Sequence, residues 1–88
     1  MKELSAENSV INQCYLTLEK HYALTKKEVE IVKKLNFHGF NNRDLATSLN
    51  MAEKTIKNHM GRILEKTSTH SARQLQALFF RLILTSIP

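Results

Sequence analysis

Apolar residues recur at intervals of three and four along most of the 88-residue chain, and no window alternates strictly between apolar and polar residues. A period of three to four places side chains on one face of an α-helix, whereas a half-buried strand needs a period of two. The chain also holds only two glycines and one proline, too few for the many turns of a β-sheet protein. The sequence therefore predicts an all-α fold, and its length suits one compact domain.

Start and stop signals divide this pattern into five predicted helices. Two capping boxes, in which Ser or Thr is followed three residues later by Glu or Gln, occur at Thr25–Glu28 and at Ser71–Gln74. Ser5 and Asn41 are N-cap residues ahead of the first and third helices, and Gly39 lies where the chain turns out of the second. The helices are expected at about 5–20, 26–38, 42–49, 53–66 and 72–84.

The fourth predicted helix has two faces of opposite character. Its buried side is an apolar stripe at helical spacing, formed by Ile56, Met60, Ile63 and Leu64. The other side is polar and basic, with Lys54, Lys57, Asn58 and Gly61. The helix follows a short helix and a tight turn at 50–52, where Asn50 tolerates left-handed backbone. A short helix, a tight turn and a helix with a basic, amide-bearing face are what helix-turn-helix recognition of the DNA major groove requires.

Basic residues are concentrated in the later part of the chain. The net charge is +5; residues 1–24 hold two basic and three acidic side chains, whereas residues 25–88 hold eleven and five. This asymmetry predicts a polyanionic partner, either nucleic acid or anionic lipid. The first residues lack the apolar run of a secretory signal, and the apolar stretch Ala77–Leu84 is interrupted by Arg81 and too short to span a bilayer. A cytoplasmic protein that is not bound to a membrane is therefore expected.

Three stretches of the chain carry a family resemblance: LTKKEVEIV at Leu24–Val32, GFNNRDLA at Gly39–Ala46 and EKTIKNH at Glu53–His59. In this order they resemble the LuxR/GerE-type helix-turn-helix family of transcription regulators, and the chain is most similar to the short stand-alone members. The resemblance implies a tetrahelical helix-turn-helix DNA-binding domain at 24–88. An extra N-terminal amphipathic helix would precede it within 1–23.

The resemblance also assigns roles to individual residues. The helix at about 53–66 would read DNA, and its base-facing residues would be Lys57, Asn58 and Gly61. The residues near phosphates would be Asn42, Arg43, Lys54, Thr55 and Arg62. The fifth helix would form a dimer interface with Leu75, Leu78, Phe79, Phe80, Leu82 and Ile83. The predicted function is sequence-specific binding of double-stranded DNA by a homodimeric transcription regulator at the bacterial nucleoid.

Three departures from the family pattern keep a second function open. The segment between Val32 and Gly39 is one residue longer than usual, Ala52 replaces a capping serine, and Gly61 stands where many relatives have a base-contacting cation. Loss of a capping side chain typically costs about 1 kcal/mol. The alternative is a protein-interaction module that keeps the fold but pairs with another regulator or with RNA polymerase.

The sequence favours neither catalysis nor a metal site. No paired carboxylates, nucleophile–base arrangement or glycine-rich phosphate loop occurs, so an enzyme is not predicted. Cys14, the only cysteine, lies seven residues before His21, but two possible ligands do not make a metal site. No cofactor is expected.

Overall fold

All secondary structure in the computed structural model, which describes residues 5–86 and their side chains from Val10 onward, is α-helical. The helices are α1 (Ser5–His21), α2 (Lys26–His38), α3 (Asn42–Leu49), α4 (Glu53–Thr67) and α5 (Ala72–Ser86). The predicted all-α fold is confirmed, and each helix begins and ends within two residues of its expected position. Within the described range, none of the helices has the length and hydropathy needed to cross a membrane. The capping role predicted for the Ser5 side chain lies outside the described side chains.

The starts of α2 and α3 are fixed by the capping side chains that the sequence predicts. At α2, Thr25 Oγ1 accepts a hydrogen bond from the Glu28 amide at 3.1 Å, and Glu28 Oε1 accepts from the Thr25 amide at 2.9 Å. At α3, Asn41 Oδ1 accepts from the Asp44 amide at 2.9 Å. These bonds satisfy amide donors that the first helical turn leaves without partners. Both helices therefore begin where the local sequence places them.

The capping box of α5 forms with one change. The Gln74 amide donates to Ser71 Oγ at 3.2 Å, as predicted. Gln74 Oε1, however, accepts from the amide of His70 at 2.8 Å and not from that of Ser71. The side chain thus satisfies the amide one residue before the cap and holds the end of the preceding loop against the first turn of α5.

Left-handed backbone ends three of the helices. Gly39 (φ 66°) ends α2, and its amide donates to the Leu35 carbonyl at 2.8 Å. Asn50 (φ 55°) ends α3 and starts the tight turn into α4, as predicted. Ser68 (φ 56°) ends α4 in the same conformation without being glycine or asparagine, so the sequence gives no signal for it. The corner between α3 and α4 is thus made at a residue type that tolerates it at low steric cost.

One hydrophobic core joins all five helices. The apolar side chains with no exposed surface come from every helix: Leu18, Ile31, Val32, Leu45, Ile56, Ile63 and Leu75. α1 also packs along α5, where the ring centroids of Tyr15 and Phe79 lie 4.4 Å apart. The segment expected to be an N-terminal extension therefore completes the same core as the helices that follow it.

α5 places much of its predicted dimer interface inside the chain itself. Three of the residues assigned to that interface are buried in the core: Leu75, Leu78 and Phe79. Two more are half-buried beside it, Leu82 and Ile83, whereas Phe80 is 59% exposed. The physical reason is that α1 lies along this face of α5. The dimer interface itself stays a prediction; in this conformation only the outer side of α5 is exposed to a second chain.

Serine at position 52 should stabilise the protein. Ala52 is the N-cap of α4, with an extended backbone (φ −69°, ψ 145°) and no side-chain cap. Ala52→Ser supplies an acceptor for an amide of the first turn, so we expect the free energy of unfolding to rise by about 1 kcal/mol. Thermal unfolding followed by circular dichroism would show a higher Tm. Ala77→Ser, at an exposed position inside α5, is the matched control and should not raise Tm, because serine has the lower helix propensity.

Candidate nucleic-acid interface

α4 is held on the domain by its apolar side. Ile56, Met60 and Ile63 are buried at helical spacing, and α3 packs more extensively against α4 than against any other helix. The stripe occupies one side of the helix, so the opposite side must face solvent. Leu64, predicted as part of the stripe, is half-buried at its edge.

The exposed side of α4 carries every residue that the sequence assigns to DNA contact on this helix. We call this surface the recognition face; it consists of Lys54, Thr55, Lys57, Asn58, Gly61 and Arg62, all exposed. On the neighbouring α3, Arg43 is exposed and Asn42 is half-buried. The structure therefore brings the predicted base-facing and phosphate-facing residues onto two consecutive helices joined by a tight turn.

Gly61 has no packing reason to be glycine. A Cβ atom built at this position would meet nothing within 4 Å. Glycine inside a helix costs about 1 kcal/mol relative to alanine, and no left-handed backbone is needed here because Gly61 lies within α4. The residue lowers helix stability yet leaves the helix backbone open to a molecule that approaches the recognition face.

The recognition face is cationic and its charges are available. Lys54, Lys57 and Arg62 lie on α4, and Arg43 lies on α3. Lys57 Nζ is 3.9 Å from Glu53 Oε2, but both side chains are about half exposed. A pair of this kind on a helix surface is worth about 0.3–0.5 kcal/mol, so Lys57 can leave Glu53 for a phosphate or a base edge at little cost.

A buried ion pair that the sequence analysis missed anchors the other end of α4. Lys66 Nζ donates to Glu28 Oε1 at 2.8 Å and to the Ala23 carbonyl at 3.1 Å. The Glu28 side chain is 2% exposed and that of Lys66 is 31% exposed. The sequence does hold a signal for this ion pair. Lys66 follows Ile63 by three residues and therefore continues the buried stripe, where a lysine needs a partner. The pair ties the last turn of α4 to the first turn of α2.

The surroundings of Glu28 keep it ionised. Burial by itself raises the pKa of this carboxyl, but the hydrogen bond from Lys66, the amide of Thr25 and the positive charge of Lys66 outweigh it. The pKa of Glu28 therefore lies below its ordinary value of 4.5. His59 of α4 also lies near Glu28. Its Nδ1 atom is buried and has no hydrogen-bond partner among the residues that the structure describes.

The two residues considered as metal ligands do not face a common site. Cys14 is buried and His21 is exposed, and Cys14 Sγ lies 3.8 Å from Ser86 Oγ. Across residues 5–86, no three potential metal-ligating side chains are grouped together.

The helices that carry this surface match a known protein family. The family described as bacterial regulatory proteins, luxR family (GerE), matches residues 22–79. The match includes the whole of α2, α3 and α4 and about the first half of α5. No solved structure matches the chain significantly.

Curated relatives are similar over the same part of the chain. The transcriptional regulatory protein LnrK of Bacillus subtilis (strain 168) is 35% identical over 58% of this chain and 23% of its own. The uncharacterized transcriptional regulatory protein YhcZ of the same organism is 34% identical over 70% of this chain and 28% of its own. DegU of Brevibacillus brevis, also a transcriptional regulatory protein, is 34% identical over 60% of this chain and 22% of its own. The chain thus spans about a quarter of the length of these relatives.

Removing Lys66 should destabilise the protein in a pH-dependent way. Lys66→Met leaves a buried carboxylate without its cation, and we expect a loss of about 1.5–3 kcal/mol in the free energy of unfolding near pH 7. The folded-state pKa of Glu28 is lowered. The ionised carboxylate therefore contributes to the free energy of unfolding above pH 4.5, and this contribution is lost as the pH falls through the folded pKa. The difference between parent and variant, measured by urea unfolding across this range, should therefore shrink in acid.

Lys27→Met is the matched control for this experiment. Lys27 Nζ lies 3.1 Å from Glu30 Oε1, and both side chains are about half exposed. An exposed pair contributes less than about 1 kcal/mol, so this variant should unfold almost like the parent at every pH. Equal losses in the two variants would contradict an anchoring role for the Glu28–Lys66 pair.

Proposed function

Because the chain belongs to the luxR family of bacterial regulatory proteins, we propose that it is a sequence-specific, DNA-binding transcription regulator that acts as a homodimer in the bacterial cytoplasm. The observation that carries the proposal is the recognition face of α4, an exposed basic and amide-bearing surface directly opposite a fully packed apolar side. The comparisons support it, because the curated relatives are named transcriptional regulatory proteins. The proposed role is binding and not catalysis.

In the proposed complex α4 enters the major groove. The ammonium of Lys57 donates to the O6 and N7 acceptors of guanine, and the amide of Asn58 pairs with the N6 and N7 edge of adenine. Gly61 lets the helix backbone approach the groove, since it has no side chain to hold the helix away. These contacts would give the sequence preference.

Phosphate contacts would set the register of α4 on the duplex. Lys54, Thr55 and Arg62 flank the base-facing residues, and Asn42 and Arg43 begin α3, where helix N-terminal amides favour an anion. Each neutralised phosphate releases condensed counterions, so affinity should fall steeply with salt. Salt-insensitive association with DNA would instead favour the protein-interaction module as the function.

A second copy of the chain would dock on the outer side of α5. Phe80 is 59% exposed and Leu84 is 54% exposed, and both lie on the last turns of that helix. Burying a side chain of this size is worth about 1.5–3 kcal/mol. A two-fold dimer presents two recognition helices to successive major grooves, so the preferred site would be roughly palindromic.

The assignment of the recognition face is tested by Lys57→Ala and Asn58→Ala. Both side chains are exposed, so the variants should fold normally. Each variant should lose about 1–3 kcal/mol of the free energy of binding to the selected site. The site is first selected from a random duplex library, and affinities are then measured by fluorescence anisotropy at fixed salt. Lys27→Ala, which removes an exposed lysine from α2, is the control for loss of charge alone. If Lys57→Ala and Asn58→Ala bind the selected site with the same affinity as the Lys27→Ala control, α4 does not read the bases.

The dimer is tested by Phe80→Glu. A carboxylate at this position would be buried without a partner in the interface, so self-association and cooperative DNA binding should weaken together. Sedimentation equilibrium and binding to one-half and two-half sites measure the two effects. Thr85→Glu adds the same charge to an exposed position of α5 and should leave both unchanged. Normal association of the Phe80→Glu protein would rule out this surface as the interface.

A further inference from the structure

A second exposed apolar surface lies away from the recognition face, between α1 and α2. We call it the α1–α2 cleft; it encloses about 500 Å³ and is lined by Ile11, Asn12, Tyr15, Glu30, Lys33, Lys34, Phe37 and His38. Phe37 is 86% exposed, the highest value of any large apolar side chain among the described residues. An aromatic ring in this position costs solvation free energy in the isolated chain and points to an interaction site.

The cleft has the shape of a groove for a short helix. On α2 its wall is formed by Lys33 and Phe37, and on α1 by Ile11 and Tyr15, each pair four residues apart and therefore on one helical face. Glu30 and His38, which both line the cleft, lie about 12 Å apart along α2 at 1.5 Å per residue, enough for two turns of a bound helix.

Tyr15, which forms part of the wall of the cleft on α1, is already held in place. The Tyr15 hydroxyl accepts a hydrogen bond from Asn36 Nδ2 at 3.3 Å, and its ring lies 4.4 Å from that of Phe79. Lys33 Nζ lies 5.2 Å from the centroid of the same ring. A partner would therefore meet a preformed wall and would not have to order Tyr15 on binding, which favours affinity.

The charge around the cleft selects its partner. Among the described side chains, Lys33 and Lys34 line the cleft, and the carboxylate that lines it, that of Glu30, is already paired with Lys27 at 3.1 Å. We propose that the α1–α2 cleft binds an acidic amphipathic helix of another protein, whose apolar residues pack on Phe37, Tyr15 and Ile11 while its carboxylates meet the two lysines. Helix-in-groove recognition of this kind uses anchors at i, i+4 and i+7.

A second copy of this chain fits the cleft less well. A two-fold contact centred here would bring Lys33 and Lys34 against their own copies, and like charges across an interface are unfavourable. The chain as a whole carries a net charge of +5. The cleft also shares no residue with the recognition face, so DNA and the acidic helix can be bound at the same time.

The probe for this proposal is a synthetic amphipathic helix with leucine at i, i+4 and i+7 and glutamate on its remaining surface. We expect the full chain to bind it about tenfold or more tightly than the same peptide with lysine in place of glutamate. Phe37→Ser should weaken binding about tenfold, since it removes the most exposed anchor. The Lys33→Glu, Lys34→Glu double variant should reverse the preference between the two peptides.

Two controls distinguish the cleft from the other surfaces. Leu84→Ser removes an exposed apolar side chain from α5 that does not line the cleft and should bind the acidic peptide like the parent. Saturating duplex DNA should not displace the peptide; displacement would place the peptide on the recognition face and overturn the proposal. Equal binding of both peptides, or unchanged binding by Phe37→Ser, would overturn it as well. Phe37 also lines a neighbouring cavity together with Phe80 of α5, so the sedimentation of Phe37→Ser is measured too. Loss of self-association together with loss of peptide binding would assign this surface to a contact between copies and overturn the proposal.

Discussion

The placement of α4 depends on the hydrogen bonds that the buried carboxylate of Glu28 accepts. This carboxylate accepts the Thr25 amide in the capping box of α2 and the Lys66 ammonium from the last turn of α4, at 2.9 Å and 2.8 Å. A buried carboxylate that loses its partners carries a large desolvation penalty. α4 therefore cannot rotate or slide against α2 without leaving this charge unpaired. One residue both begins a helix and fixes the orientation of another.

The recognition face follows from that constraint. Ile56 and Ile63 set which side of α4 faces the core, and Lys66 fixes its end against α2. The remaining side, with Lys57 and Asn58, can only face solvent. Because the α1–α2 cleft is built from other helices, a change at one surface need not disturb the other. The surfaces that we propose for DNA and for a protein partner are therefore separate.

Much of this arrangement was predictable because its causes are local. Capping bonds reach three residues, so Thr25 and Asn41 marked their helices correctly, and Asn50 marked the tight turn because its residue type tolerates a positive φ. Ser68 adopts the same backbone without any such preference, and Gln74 bonds to His70 and not to its own cap residue. Ala23, between α1 and α2, is a further residue with positive φ (60°) that its residue type does not predict.

The sequence by itself determined the helices, the turn before α4 and the residues of the recognition face, since periodicity and capping act within one or two turns. Only the tertiary structure decided which apolar faces meet. It paired Glu28 with Lys66 across 38 residues, packed α1 along α5 so that Leu75 and Phe79 face the core, and left Phe37 in solvent. The physical reason is that the hydrophobic effect is non-directional. A stripe of apolar residues specifies that a face will be buried, and the packing of the whole chain selects what covers it.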